Sequence, residues 1–318
     1  MKTKSNILIA DDIESIRFAI KDFLESEYNI FEAESGLEAL KILENHPIDF
    51  IISDIRMPGM GGLELIQHVR KKYPNTQYAL MTAYNVNDFI EYAREENIWN
   101  IIPKSSNLDL RFIKVMIEKI LSSDIFGIEK YFPEIQKNSL TFENLIDKKF
   151  NLAKNTLYSL PAMDIKRCDI ACDTIGDVMI RAECPSVIRQ VIDELVSNAL
   201  GHPAEKKIDV HNSVEISFGK TGNKYAISIL DHHGLLDREE IIYRIERHVK
   251  LDKNGLPIGI SDSHGRGLFI SRENLDHLIF NIDKNKKTEV IGIISKDANS
   301  KNKSLTIYQI ESAGLERN

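Results

Sequence analysis

The sequence predicts an α/β fold over its first third, a five-stranded parallel sheet wound by helices on both faces, followed by a helical connector and an α+β two-layer sandwich. Two observations carry this expectation. In the first 122 residues short apolar runs alternate with amphipathic helical patterns five times over, and such repetition builds a parallel sheet buried on both sides. Beyond residue 160, strand-like runs cluster around a few helical stretches, the pattern of a sheet with helices on one face.

A length of 318 residues favours two domains over one core, and 42% hydrophobic with 28% charged residues is an ordinary globular balance. The net charge of -7 argues against nucleic acid as a partner, because phosphate backbones call for a basic surface. No apolar run approaches the roughly 18 residues of a membrane span, and the run at 7–10 is too short for a signal-peptide core. Cys168, Cys172 and Cys184 cannot all pair and have no neighbouring histidine to complete a zinc site. Reduced thiols in a cytoplasmic protein are the expectation.

In the first domain, residues 1–122, strands are expected at 6–10, 29–33, 50–53, 77–81 and 99–102. Helices are expected at 14–26, 36–45, 62–73, 86–97 and 107–121. Chemistry in parallel sheets collects at the carboxyl ends of the strands. Those ends carry Asp11 and Asp12, Asp54, Thr82 and Lys104. Three converging carboxylates stay ionised together around a cation, and all-oxygen ligation by Asp11, Asp12 and Asp54 suits Mg²⁺. Such a pocket, with one hydroxyl and one ammonium, suits acceptance of a phosphoryl group on a carboxylate, with Asp54 as nucleophile.

The segment SDIRMPGMGGLEL resembles the phosphoacceptor loop of response-regulator receiver domains, and Asp11, Asp12, Asp54, Thr82 and Lys104 match that family's five active-site positions. The resemblance spans the first 122 residues. It implies a flavodoxin-like fold, Mg²⁺, and a cognate histidine kinase as phosphodonor. Two departures stand out: Ile101 occupies the position of the aromatic switch residue, and Ser105 follows the lysine where a proline is usual. The phosphoryl chemistry is expected to survive them, and the conformational readout to differ. Trp99, nearby, reads as core filler.

Residues 123–160 read as a helical connector. Phe142, Leu145, Ile146, Phe150, Ala153 and Leu157 form one stripe over 139–157, opposed by Glu143, Asp147, Lys148 and Lys154 and bracketed by Pro133 and Pro161. Such a stripe points to a homodimer or a docking partner. Between His68 and His202 there is no histidine, so the connector cannot carry a phosphoimidazole.

In the third segment, 161–318, strands are expected near 164–171, 177–182, 213–219, 224–231, 287–295 and 304–310, and helices near 186–201 and 266–278. Pro185 suits the first turn of the former helix. Glu194 and Asn198 lie four apart on it, with His202 a turn further on. An amide oxygen from Asn198 suits Mg²⁺ against nucleotide phosphates, Glu194 suits general-base work, and His202 suits a phosphate contact. Asp231 closes a strand where its carboxylate can accept from a purine amine. Gly265 and Gly267 open a helix whose amides can cradle phosphates.

That order resembles the Bergerat-type (GHKL) ATPase family of histidine kinases, anti-sigma-factor serine kinases and gyrase- and Hsp90-like ATPases. ELVSNALGH resembles its N box, ILDHHG the first glycine box and HGRGLFI the second. The resemblance covers about residues 180–295. It implies ATP held by Asn198, His202, Asp231, Gly234, Gly265, Arg266, Gly267 and Leu268, with Glu194 catalytic and residues 237–264 as a mobile lid. The usual first box is D-x-G-x-G, whereas Asp231 is followed by His232, His233, Gly234 and Leu235. Three readings follow. The first is a response regulator, phosphorylated on Asp54, whose receiver controls an ATP-binding, anti-sigma-factor-kinase-like output domain acting on a downstream regulatory protein. The second gives it a degenerate, non-catalytic interaction module. The third is an atypical histidine kinase acting on a partner.

Overall fold

The computed structural model describes residues 4–84, 86–104, 108–200, 213–261, 266–296 and 303–310. The chain divides into two compact units, Met1–Ile125 and Phe126–Asn318.

In the first unit the elements alternate as the apolar runs require: β1 (Asn6–Ala10), α1 (Glu14–Leu24), β2 (Asn29–Ala33), α2 (Gly36–Asn45), β3 (Phe50–Asp54), α3 (Gly62–Lys72), β4 (Gln77–Thr82), a 3-10 turn (Val86–Phe89), α4 (Ile90–Glu95), β5 (Asn100–Pro103) and α5 (Leu110–Ser122). The strands form a wholly parallel sheet in the order β2-β1-β3-β4-β5. Every residue of β3 is buried, as expected of a central strand covered on both faces. Helix starts follow from capping side chains: Ser35 accepts from Glu38 N ahead of α2, and Asp109 from Phe112 N ahead of α5. Ile101 is buried on β5 opposite Leu80, an aliphatic in place of an aromatic switch. Trp99 is half-buried, and Ser105 lies outside the described residues.

The second unit holds a 3-10 turn (Ile128–Tyr131), β6 (Gln136–Ser139), α6 (Phe142–Leu145), β7 (Thr156–Met163), α7 (Ile165–Arg181), α8 (Ile188–Leu200), β8 (Val214–Thr221), β9 (Lys224–Asp231), α9 (Arg238–Val249), a 3-10 turn (Ile258–Ser261), α10 (Arg266–Asn274), β10 (His277–Asp283), β11 (Lys287–Ser295) and β12 (Ser304–Ile310). Its mixed sheet runs β12-β10-β11-β9-β8-β7-β6, with parallel pairs only at β12-β10 and β7-β6. Helix α8 packs on α7 and on α10, with α8 also against β8 and β9 and α10 against β10.

Three expectations are corrected here. The connector helix over 139–157 reduces to the single turn of α6. Asp147 then accepts from Lys149 N and Phe150 N in a turn, and Asn155 takes a left-handed φ of 53° before β7 begins. The apolar stripe is split by the turn: Leu145 and Leu157 are buried and the Phe150 ring meets Tyr158 and Phe218 edge-on at 5.1 and 6.3 Å, while Ile146 and Ala153 are exposed. The continuous helical stripe on which a connector-mediated homodimer was expected is therefore not formed. Pro161 sits inside β7, where the missing N–H coincides with a shift of register against β8.

The strands expected at 164–171 and 177–182 are instead one helix, α7. Asp164 caps it by accepting from Arg167 N, and its buried residues Cys168, Ala171, Cys172, Ile175, Val178 and Met179 recur at helical spacing. The helix expected to reach 278 stops at Asn274, and 277–283 is a fully buried strand, β10. The segment 237–264, expected as a lid, contains the regular helix α9, capped by Asp237 through Glu239 N.

Candidate functional site

At the carboxyl edge of the first sheet, Asp11 is fully buried just past β1 and Asp54 closes β3. The Lys104 ammonium stands 2.7 Å from Asp11 Oδ2 and 2.6 Å from Asp54 Oδ2. Burial pushes the Asp54 carboxyl above the usual carboxylate range, the Lys104 hydrogen bond pulls it back, and Asp11 adds to the upward push. Asp12 is exposed, and an oxygen from each of Asp11, Asp12 and Asp54 can lie within 4.8 Å of the others. That all-oxygen donor set fits a hard divalent cation.

Thr82, at the end of β4, is fully buried; its Oγ1 accepts from Tyr84 N at 3.0 Å, and its carbonyl accepts from Lys104 N at 2.6 Å. The five strand-end residues expected from the sequence thus share one edge, with Asp11, Asp54 and Lys104 in direct contact. Arg56 and Tyr84 were not legible. Arg56 lends its backbone N–H to Asp54, and its guanidinium lies 4.1 Å over the Tyr84 ring, so one cation–π pair links the loops that follow Asp54 and Thr82.

In the second unit α8 carries Glu194 and Asn198 on one flank, and Asn198 Nδ2 donates to the Glu194 carbonyl at 2.7 Å. The start of α10 rests directly on the acid: a Cβ at Gly267 would lie 2.0 Å from Glu194 Oε2, so a side chain there requires the Glu194 carboxylate to move aside. Asp231, buried at the end of β9, accepts through Oδ1 from His233 N and Gly234 N at 2.8 and 3.0 Å. Gly234 has a φ of 60°, and a Cβ there would meet Asp283 O at 2.4 Å. Gly234 therefore fills a backbone-to-backbone approach that a side chain would block.

His202 and Gly265 lie outside the described residues. Leu268 is buried in the core, which leaves only its backbone to meet a ligand, and Arg266 is exposed. One further residue belongs with this group. Thr288 faces Asp231 across the β11–β9 register, is fully buried, and its hydroxyl has no hydrogen-bond partner among the described residues. A buried hydroxyl left this way beside a carboxylate invites a polar ligand atom. No local pattern marks Thr288; only the strand register brings it to Asp231.

No helix of the described residues is long and apolar enough to cross a membrane. The family model described as the response regulator receiver domain matches residues 7–114. Among curated proteins, sporulation initiation phosphotransferase F of Bacillus subtilis is 32% identical over 104 residues, which cover 32% of this chain and 84% of that protein. Histidine kinase P4 of Formosa agariphila is 30% identical over 163 residues, covering 49% of this chain and 12% of the kinase. Of longer relatives the chain spans less than half, 42% of a cyclic di-GMP phosphodiesterase of Thermotoga maritima and 23% of the transcriptional regulator NtrC of Proteus hauseri. The crystal structure of response regulator protein TrrA of Thermotoga maritima, in complex with Mg(2+)-BeF, is 35% identical over 36% of this chain and 98% of that one, with a TM-score of 0.32.

Receiver domains bind Mg²⁺ at an acidic aspartate cluster and accept phosphate from a histidine kinase. The matched residues run from inside β1 to inside α5 and enclose every strand end of the acidic pocket. The chain belongs to the response regulator receiver domain family.

Proposed function

We propose that this chain is a two-component response regulator that accepts a phosphoryl group on Asp54 from a cognate histidine kinase and thereby governs a Mg-ATP-binding output unit. The observation that supports the first half is the Lys104 ammonium lodged between Asp54 and Asp11. In the transfer an Asp54 oxygen attacks phosphorus, a P–O bond forms, and the donor's P–N bond breaks with its electron pair passing to the imidazole, which takes up a proton. Lys104 sits where a phosphoryl oxygen would gain negative charge, and the Thr82 hydroxyl on the adjacent strand end would supply a second donor. Asp11, Asp12 and Asp54 would hold Mg²⁺, which when bound offsets charge on the incoming phosphoryl oxygens.

For the second unit, the observation that favours nucleotide binding is the buried Asp231 carboxylate paired across strands with the unpartnered Thr288 hydroxyl. That donor and acceptor pair suits the exocyclic amine and a ring nitrogen of adenine. Glu194 and Asn198 lie on α8, which packs on β9 and on the start of α10, so the proposed base-binding and phosphate-binding elements adjoin. Asn198 would hold a second Mg²⁺ against the phosphates, and Glu194 would take the proton from an incoming serine or threonine hydroxyl of a downstream regulatory protein.

Titration of the full chain with a fluorescent ATP analogue and Mg²⁺ tests this half. Saturable binding that Asn198→Ala abolishes is the expected result. Absence of binding by the wild type would assign the second unit to a nucleotide-free interaction role.

A further inference from the structure

The polypeptide enters the second unit at Phe126; Phe126 and Gly127 are fastened to β11, while the turn at 128–131 also packs on β9. Lys287 Nζ lies 3.8 Å from the centre of the Phe126 ring. Gly127 N donates to Glu289 Oε2 at 2.8 Å, and Ile128, Tyr131 and Phe132 just beyond are buried. Glu289 is 6% exposed, and both of its oxygens are engaged inside the sheet: Ser228 Oγ donates to Oε1 at 2.8 Å, and Asn281 Nδ2 to Oε2 at 2.9 Å. A buried acid is tolerated only while its partners stay in place, so these groups hold position together.

Between Lys287 and Glu289 stands Thr288, and strand alternation sends it to the opposite face, toward Asp231. That face is the helix-covered one, since Leu275 lies over Gly292 on the same side of β11. The turn ahead of β11 is also tied to the loop after Asp231: Asn285 N donates to Gly234 O at 3.0 Å, and Gly234 is pressed against the amides of Lys286 and Lys287. Three consecutive residues therefore carry the incoming chain on one face and the proposed pocket wall on the other.

We propose that Glu289 is a positioning residue that couples the incoming segment 126–132 to the Asp231–Thr288 pair, so that the phosphorylation state of the first unit sets nucleotide affinity in the second. The coupling rests on the nucleotide reading above. A shift of the segment pulls on Gly127 and Phe126 and thus on the backbone of 287–289, which cannot move without displacing Thr288. Close-packed interiors transmit such a displacement because they leave little space to absorb it.

The test uses the full chain, a fluorescent ATP analogue with Mg²⁺, and beryllofluoride as the phosphoryl mimic, with Asp54→Asn as the control that cannot respond. Beryllofluoride is expected to change the wild-type Kd about fivefold or more, within the usual range of coupling between sites. Glu289→Gln is expected to shrink that ratio to under about twofold. Lys287→Ala, which leaves the buried network intact and so guards against misfolding, should reduce it in the same direction. A wild-type ratio of one, or the full ratio in both variants, overturns the proposal.

If no state binds nucleotide, the reading of the second unit fails, and amide hydrogen exchange decides the anchor by itself. Exchange at residues 286–290 that responds to beryllofluoride in the wild type and not in Lys287→Ala supports it. An unresponsive wild type refutes it.

Discussion

Lys104 Nζ stands 2.6 Å from Asp54 Oδ2, and the same ammonium reaches Asp11, so one cation holds two buried carboxylates apart and in place. Removing it leaves two acids facing each other in a site with little water. Lys104→Met should lower stability in metal-free buffer by about 1–3 kcal/mol, the cost of stranding a buried polar group. Adding Asp54→Asn should recover part of that loss, because one of the two charges is then gone. Urea unfolding of the two single variants and the double variant in chelator checks the coupling.

Gly267 and Glu194 form the matching relationship in the second unit. Gly267→Ala should destabilise the chain by about 1 kcal/mol, at the low end of overpacking, since the Glu194 carboxylate must move aside for the new methyl. Shortening the acid in the double variant Gly267→Ala, Glu194→Ala should return most of the stability. Thermal unfolding of the pair distinguishes this clash from a general dislike of substitution at the helix start.

Thr288→Val keeps the shape of the side chain and removes the unpartnered hydroxyl. The expected result is unchanged or slightly raised stability together with roughly tenfold weaker nucleotide binding, about the contribution of one hydrogen bond. Measuring the two quantities on the same preparation separates a ligand contact from a packing role.

Much of this was legible and some was not, for identifiable reasons. The first unit reads well because a parallel sheet buries both faces of its strands, so β3 appears as the bare apolar run FIIS ending in Asp54. α7 reads poorly because isoleucine, valine and cysteine suggest strands locally, while its helical period emerges only over its full 17 residues. β10 was hidden by His277 and Asn281, polar residues whose partners Ser304 and Glu289 are supplied by neighbouring strands. The stripe at 139–157 looked helical by spacing, and the turn at Asp147 with the left-handed Asn155 overrode it. At the sites, the chemistry-bearing residues announced themselves, whereas Thr288 and the Arg56–Tyr84 pair exist as features only once strands and loops are assembled.

The thiols give a pH-dependent expectation. Burial pushes Cys168 and Cys184 up to about 12 and Cys172 higher still, so the reactive thiolate is scarce in the folded chain. Iodoacetamide at pH 8 should leave all three unlabelled in the native protein and label all three in denaturant. Raising the pH toward 10 should add little native labelling, because that is still well below the shifted values. Mass spectrometry of the intact chain counts the adducts.

The most direct test of the central claim is phosphoryl incorporation from acetyl phosphate with Mg²⁺, followed by intact mass and by lability of the product. One alkali-labile phosphoryl group per chain is expected, absent from Asp54→Asn and dependent on added metal. Undiminished incorporation in Asp54→Asn would contradict the assignment of the acceptor.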